Sequence, residues 1–310
     1  MGALLGRLVA RMERGKRCME RFRFSDRETG ALRGVQVGIP WNRLPEYFDA
    51  VLSYRINPEI GFGALELDSA GRAECERIAG MLRERNCRVT LHGPFWDLCP
   101  GSVDPRVREV ASFRLRQFMD VAEIFHPIQV VCHTGYDFRH HGFERSSWVD
   151  RSLAVWAPLV ERAERMGACL LLENVWEEGP ELHRELFARI ASPRIGFCLD
   201  VGHQNSFSST PLPVWLDVLA DFIREVHLHD NDGSRDHHLP IGRGSIDFDL
   251  LFRRLRSNRE FPILTLEPHT DEDFAETTAA FARIASSAAF LGEGASEKDP
   301  GKEQPFHGHC

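Results

Sequence analysis

The densest run of ionisable groups in this 310-residue chain lies at positions 226–244. Four histidines and three aspartates (His227, His229, Asp230, Asp232, Asp236, His237, His238) stand there, between a β-like opening and a Gly242-Arg243-Gly244 turn. Imidazoles and carboxylates at that density cost stability unless they are solvated, hydrogen-bonded or bound to metal. Asp236 and His238 are two apart, so an extended backbone projects both to one side, as two ligands of one metal ion require. The same alternation is read as turning His229 and His237 away from His227 and His238, toward solvent or supporting positions. Taken alone, the stretch also reads as a solvated acidic loop with incidental histidines.

The elements that must position these groups alternate along the chain. Short apolar runs of strand length fall at 35–39, 60–67, 88–91, 128–132, 168–172, 195–199, 225–228 and 263–266. Amphipathic segments follow them at 44–54, 72–85, 104–125, 146–166, 181–190, 213–223, 248–256 and 271–290. Asp104-Pro105 opens one of these with an N-cap and a proline at the first helical position. Eight β-then-α units in unbroken register predict an α/β fold, a single (β/α)8 TIM barrel over residues 34–290. Residues 1–33 are read as a short, loosely attached N-terminal extension, and 291–310 as a disordered Gly/Glu/Lys/Pro-rich tail.

In such a barrel the strand ends converge on one face, where active sites sit. His92 follows the third run, His133 the fourth, Glu173 the fifth and Asp200 the sixth, with His203 three residues later. His227 lies within the seventh, Asp236 and His238 in its loop, and Glu267 follows the eighth. Each alone has a bland explanation as a cap or an ion pair. Nine ligand-type residues at successive strand ends point to a metal site.

Composition narrows the setting. A net charge of −8 argues against non-specific binding to nucleic acid or anionic membrane. The eight cysteines show no C-x-x-C spacing, and Cys132, Cys169 and Cys198 fall in apolar runs, which predicts buried thiols and a reducing, cytoplasmic compartment. No run of apolar residues is long enough to span a membrane. The N-terminal stretch reads as neither a signal peptide nor a myristoylation site.

Over about residues 35–290 the chain resembles the xylose isomerase-like TIM-barrel superfamily, which includes endonuclease IV (AP endonuclease family 2) and sugar isomerases and epimerases. The resemblance rests on Leu91-His92-Gly93-Pro94-Phe95, Cys132-His133-Thr134-Gly135, Leu172-Glu173-Asn174, Leu199-Asp200-Val201-Gly202-His203, the loop from His227 to Gly244, and Leu266-Glu267-Pro268. It implies up to three zinc ions, or manganese in their place. By this likeness Glu173 bridges two metals, His92 and His133 complete the first, and Asp200, His227 and Glu267 the second. His203, Asp236 and His238 hold the third. The isomerase and epimerase members imply a smaller set, Glu173, Asp200, His227 and Glu267 around one divalent ion. There the two glutamates move the proton and His203 meets substrate oxygen.

Two chemistries follow. Phosphoester hydrolysis at a di- or trinuclear centre employs all nine residues, with Glu173, Glu267 and His203 catalytic. Isomerisation or epimerisation of a sugar or sugar phosphate leaves His92, His133, Asp236 and His238 with neither a metal nor a substrate to hold. An abasic-site endonuclease fits less well, since Phe95 and Thr134 replace a Tyr and a Pro of that family's pattern and no basic stripe accompanies them. The expected partner is a small phosphorylated or sugar substrate. Arg243 is a candidate phosphate clamp or a surface salt bridge. Asn174, Trp176 and Phe95 are candidates to line the pocket, with packing as the alternative.

Overall fold

Eight parallel strands close on themselves in chain order, β1 pairing with β8 to complete the barrel, in a computed structural model that describes residues 22–286. The strands are β1 (Gln36–Pro40), β2 (Asn57–Gly61), β3 (Thr90–His92), β4 (Gln129–His133), β5 (Cys169–Glu173), β6 (Ile195–Asp200), β7 (Ile223–Leu228) and β8 (Ile263–Leu266). Around them run α1 (Asp26–Arg33), α2 (Leu44–Tyr54), α3 (Ala64–Ser69), α4 (Arg72–Glu84), α5 (Pro105–Phe125) and α6 (Phe138–His141). The set continues with α7 (Arg145–Met166), α8 (Glu181–Ile190), α9 (Val201–Phe207), α10 (Leu212–Val218), α11 (Phe248–Leu255) and α12 (Asp271–Ile284).

Alternation along each strand divides the residues between two environments. Leu170 and Leu172 of β5 join the large apolar layer between strands and helices, whereas Cys169 and Leu171 form a small apolar plug with Val131 and Cys198. The rest of the barrel floor is polar. Gln129 of β4 donates to Glu225 of β7 at 2.6 Å, a bond between non-neighbouring strands that crosses the interior. Branched apolar side chains commonly fill this space. Here the polar floor supports imidazoles and carboxylates above it.

The second apolar run is displaced from its expected place. The strand is Asn57–Gly61, and residues 64–69 form α3. Asn57 and Glu59 have low strand propensity, but the barrel interior gives them partners. Asn57 Nδ2 donates to the carbonyls of Arg33 and Val35 at 3.0 and 3.2 Å, and Thr90 Oγ1 donates to Glu59 at 2.9 Å.

Part of the expected N-terminal extension is folded. Ser25 and Glu28 form a reciprocal capping box that starts α1, and α1 packs on α12, with Phe22 and Leu32 in the main core. Residues 1–21 and 287–310, including the expected tail and the end of the last expected helix, lie outside the described residues. The expected cap of α5 is present, Asp104 accepting from the amide of Arg106 at 2.8 Å.

Leu172 is fully buried between β5 and its covering helices. Leu172→Ala should therefore cost about 2–5 kcal/mol, read as a lowered urea midpoint at unchanged slope. A loss below about 1 kcal/mol would contradict this packing.

Candidate metal centre

Glu173, at the end of β5, is the hub. Its Oε2 lies 2.9 Å from His92 Nε2 and 3.3 Å from His133 Nε2, the rings at the ends of β3 and β4. Its Oε1 lies 3.2 Å from His203 Nδ1 and 3.6 Å from His227 Nδ1. Asp200, ending β6, caps α9 by accepting from the amide of His203 at 2.7 Å, so one carboxylate both starts the helix and places the His203 ring. Glu267, just past β8, brings Oε1 to 3.1 Å from His227 Nδ1. Asp236 Oδ2 sits 3.0 Å from His238 Nε2 and 3.4 Å from His203 Nε2. All nine expected residues thus meet at the C-terminal mouth of the barrel.

The arrangement is coherent with divalent cations between these atoms. His92, His203 and His238 each have Nδ1 at 3.0 Å from a backbone carbonyl, those of Gly93, Asn174 and Glu267. A carbonyl only accepts, so each neutral ring carries its proton on Nδ1 and turns the Nε2 lone pair toward a carboxylate. Two acceptors about 3 Å apart repel unless a proton or cation stands between them. Further, both ring nitrogens of His227, Nδ1 of His229 and Oδ1 of Asp236 are buried without a well-aligned hydrogen-bond partner. Ligands on bonds of about 2.1 Å at tetrahedral angles stand about 3.4 Å apart, close to the separations observed. In three groups, His92–His133–Glu173, His203–Asp236–His238 and His229–His238–Glu267, the donor atoms lie within 4.8 Å of one another. The nine expected donors are all nitrogen and oxygen, which suits zinc or manganese, and the buried Cys198 thiol lies within the same 4.8 Å of Glu173 and His227 donor atoms.

Proton affinities in the metal-free protein follow the same geometry. Burial opposes charge on Glu173, but the neighbouring His133 and His227 hold its carboxyl well below the usual range. Burial likewise disfavours charge on His203 and His227, yet Asp200 beside the first and Cys198, Glu267 and Glu173 beside the second lift both well above the ordinary imidazole value. His238, against Asp236, is pushed up to about 9 in spite of its burial. His133 goes the other way, because desolvation outweighs the pull of Glu173.

Several residues are placed differently from the expectation. His229 is 1 % exposed, its Nε2 at 3.0 and 3.1 Å from the two oxygens of Asp200. Residues two apart share a strand face, so His229 continues the inward row of His227, and the expectation that alternation turns it away is corrected. Asp236 and His238 meet by a turn, with His238 at φ +48°, where extended backbone was expected. The His229, His238 and His269 rings form a stack with centroids 3.7 Å apart at each step, and His269 escaped the sequence reading.

Arg243 pairs with Glu276 of α12 and is 64 % exposed at its side chain. Asn174 is stitched to the backbone of Asp200 by two 2.9 Å bonds, which positions that ligand. Phe95 stacks on the His133 ring at 4.4 Å and is 38 % exposed, while Trp176 lies 4.1 Å from Phe207 and under the Arg139 guanidinium.

The loop carrying Asp236 and His238 is folded by a residue sequence reasoning passed over. Asp230 accepts from the amides of Asn231, Gly242 and Gly244, each at 2.9 Å, and its backbone pairs with Leu239 in both directions. A Cβ at position 244 would stand 2.2 Å from the Asn231 carbonyl oxygen, so only glycine fits there. Glu177, also unforeseen, is buried between Thr134, which donates to it, and the amide of Val175, tying the β4 and β5 exit loops. Burial lifts its carboxyl to about 7.

Fold and site together define a (β/α)8 barrel with a histidine- and carboxylate-rich centre at its C-terminal mouth. The chain belongs to the xylose isomerase-like TIM barrel family, whose model matches residues 58–291. An uncharacterized protein of Methanocaldococcus jannaschii is 31% identical, over 60% of this chain and 66% of its own length, just under two thirds. A probable endonuclease 4 of Symbiobacterium thermophilum is 30% identical, over 69% of this chain and 84% of that one. Among solved structures, a Thermus thermophilus protein soaked with zinc chloride is 28% identical and superposes with a TM-score of 0.66, covering 82% of this chain and 98% of that one. A D-tagatose 3-epimerase-like protein, 24% identical, superposes with a TM-score of 0.68, covering 80% and 94%, and shares the fold.

Two outcomes are expected. A Cβ on Gly202 would lie 1.9 Å from the His229 ring, so Gly202→Ala should displace that ring and weaken zinc retention, measured by chelator competition, with the barrel's circular dichroism unchanged. With His238 lifted to about 9, its proton is bound at pH 7.5 and must leave when a metal takes Nε2. Zinc titrations should therefore show a calorimetric heat that depends on buffer ionisation, diminishing once the pH passes about 9.

Proposed function

We propose that this chain hydrolyses a phosphoester, a small phosphodiester or a sugar phosphate, at a centre of two or three divalent metal ions. The observation that carries this reading is the His203–Asp236–His238 group, assembled beside Glu173 and joined to it through the His203 ring. A single-metal reaction gives that group no ion to hold. Bound divalent ions would lower the pKa of a water lying between them and neutralise charge on phosphoryl oxygens. Glu173 and Asp200 would hold the ions apart, and His203, reaching both Glu173 and Asp236, would fix the third relative to the others. Phe95, flat against His133 and partly exposed, would wall one side of the substrate position.

Nucleic acid is the less favoured substrate. Arg43, Arg139 and Arg243 are engaged on Asp271, Asp137 and Glu276, and Arg235 donates to His237. A cytoplasmic site of action fits the free, buried thiols of Cys132 and Cys198, and no described helix is long and apolar enough to cross a membrane.

An epimerase or isomerase is the second reading. One observation favours it: Glu173 and Glu267 approach His227 Nδ1 to 3.6 and 3.1 Å, so two carboxylates flank one cation position, as proton transfer on both faces of a carbon requires.

Zinc or manganese content and turnover of bis(p-nitrophenyl) phosphate separate the two. The hydrolase should carry two or three equivalents, lose activity on chelation and regain it on metal return. Asp236→Ala should lower its rate by about 100-fold or more, and Glu173→Gln should abolish it while the barrel still folds. One equivalent, no phosphodiesterase activity, and ketose turnover only dented by Asp236→Ala would replace this reading with the isomerase.

A further inference from the structure

Each imidazole that offers one nitrogen to a cation needs something to hold its other nitrogen. For His92, His203 and His238 that partner is a backbone carbonyl at 3.0 Å. His227 has none. It sits inside β7, where the strand pairing with β6 and β8 engages the carbonyls around it. Its Nδ1 edge faces Glu267, Glu173 and Asp200 at 3.1, 3.6 and 3.8 Å. Its Nε2 edge points down the barrel and lies 3.1 Å from Oε1 of Glu59, on β2 across the interior.

Glu59 is buried, and its other oxygen accepts from Thr90 Oγ1 at 2.9 Å, the residue paired with it in the β2–β3 register. Glu225 is the other carboxylate under the ring. It stands 4.0 Å from Nε2, and Gln129 and Thr265 already engage its two oxygens. Glu59 therefore has one oxygen anchored by a hydroxyl and one 3.1 Å from the His227 ring, with the Glu225 carboxyl beside both. A buried carboxylate is costly without a partner. Placed behind a ligating imidazole it fixes the tautomer and ring plane and raises the basicity of the nitrogen that meets the metal.

We propose that Glu59 is the positioning residue of His227: Oε1, 3.1 Å from Nε2 but not aligned with it in the metal-free ring, accepts the Nε2 proton once a cation held with Glu173, Asp200 and Glu267 takes Nδ1. This rests on the metal-centre reading of the proposed function and brings to the centre a residue of β2, a strand that supplies none of the nine expected ligands.

Glu59→Gln tests it, since the amide keeps the shape and loses the charge. Zinc affinity at the Glu173–Asp200–His227–Glu267 position should fall on the order of 10- to 100-fold, while zinc at His203–Asp236–His238 is retained. In cobalt-loaded protein the visible spectrum of the weakened position should shift, which a purely structural role for Glu59 would not cause. Thr90→Val, which frees the anchored oxygen of Glu59, should weaken the same position to a smaller degree and serves if Glu59→Gln does not fold. Wild-type zinc affinities and cobalt spectrum in the folded variant would overturn the assignment to Glu59 alone. Wild-type protein that takes up no zinc would overturn the metal centre and this inference together.

Discussion

The geometry of the site depends on one buried carboxylate. Glu173 stands at the end of β5 with His92 and His133 on one oxygen and His203 and His227 on the other. Four imidazoles from four separate strand ends can share one acidic group only if the strands close into a barrel and bring those ends to one rim. Taking a lone carboxylate into a protein interior is expensive. The surrounding rings and the cations they are shaped to hold offset that cost, and the polar barrel floor beneath them continues the same solution downward.

Support for the hub is layered. Backbone carbonyls hold the outer faces of His92, His203 and His238, Asn174 clamps the backbone of Asp200, and Asp230 folds the loop that returns Asp236 and His238 to the mouth. Each is a short-range device on a rigid element or a pinned loop. Together they hold ligand atoms at separations a metal can use without rearranging them, the condition for a preorganised centre. The Phe95 ring stacks on His133 and the Trp176 ring lies between Phe207 and the Arg139 guanidinium, beside this polar interior.

Most of the fold was legible in the chain because parallel strands buried on both faces read as apolar runs and the helices between them carry their own period. β5 and β6 are clear cases. β2 was misplaced because its inward residues, Asn57 and Glu59, are polar. Only the closed interior, with Thr90 and the carbonyls of Arg33 and Val35 at hand, makes a strand of them. The same blind spot hid Glu59 as a neighbour of His227. α1 reads in the sequence as part of an extension because a helix of eight residues shows little period. Its capping box and its packing on α12 decide otherwise.

The sequence by itself determined the donor set. Nine imidazoles and carboxylates at successive strand ends mark the candidate donors of a nitrogen- and oxygen-rich site, and the family likeness gave them an order. Tertiary structure alone decided which further groups join them. His229 lies on Asp200, His269 stacks on His238, and Arg243 turns outward to Glu276. Residue type and spacing fix what a side chain can bind. Whether its atoms arrive depends on strand closure and loop return, which are set by contacts between residues far apart in the chain.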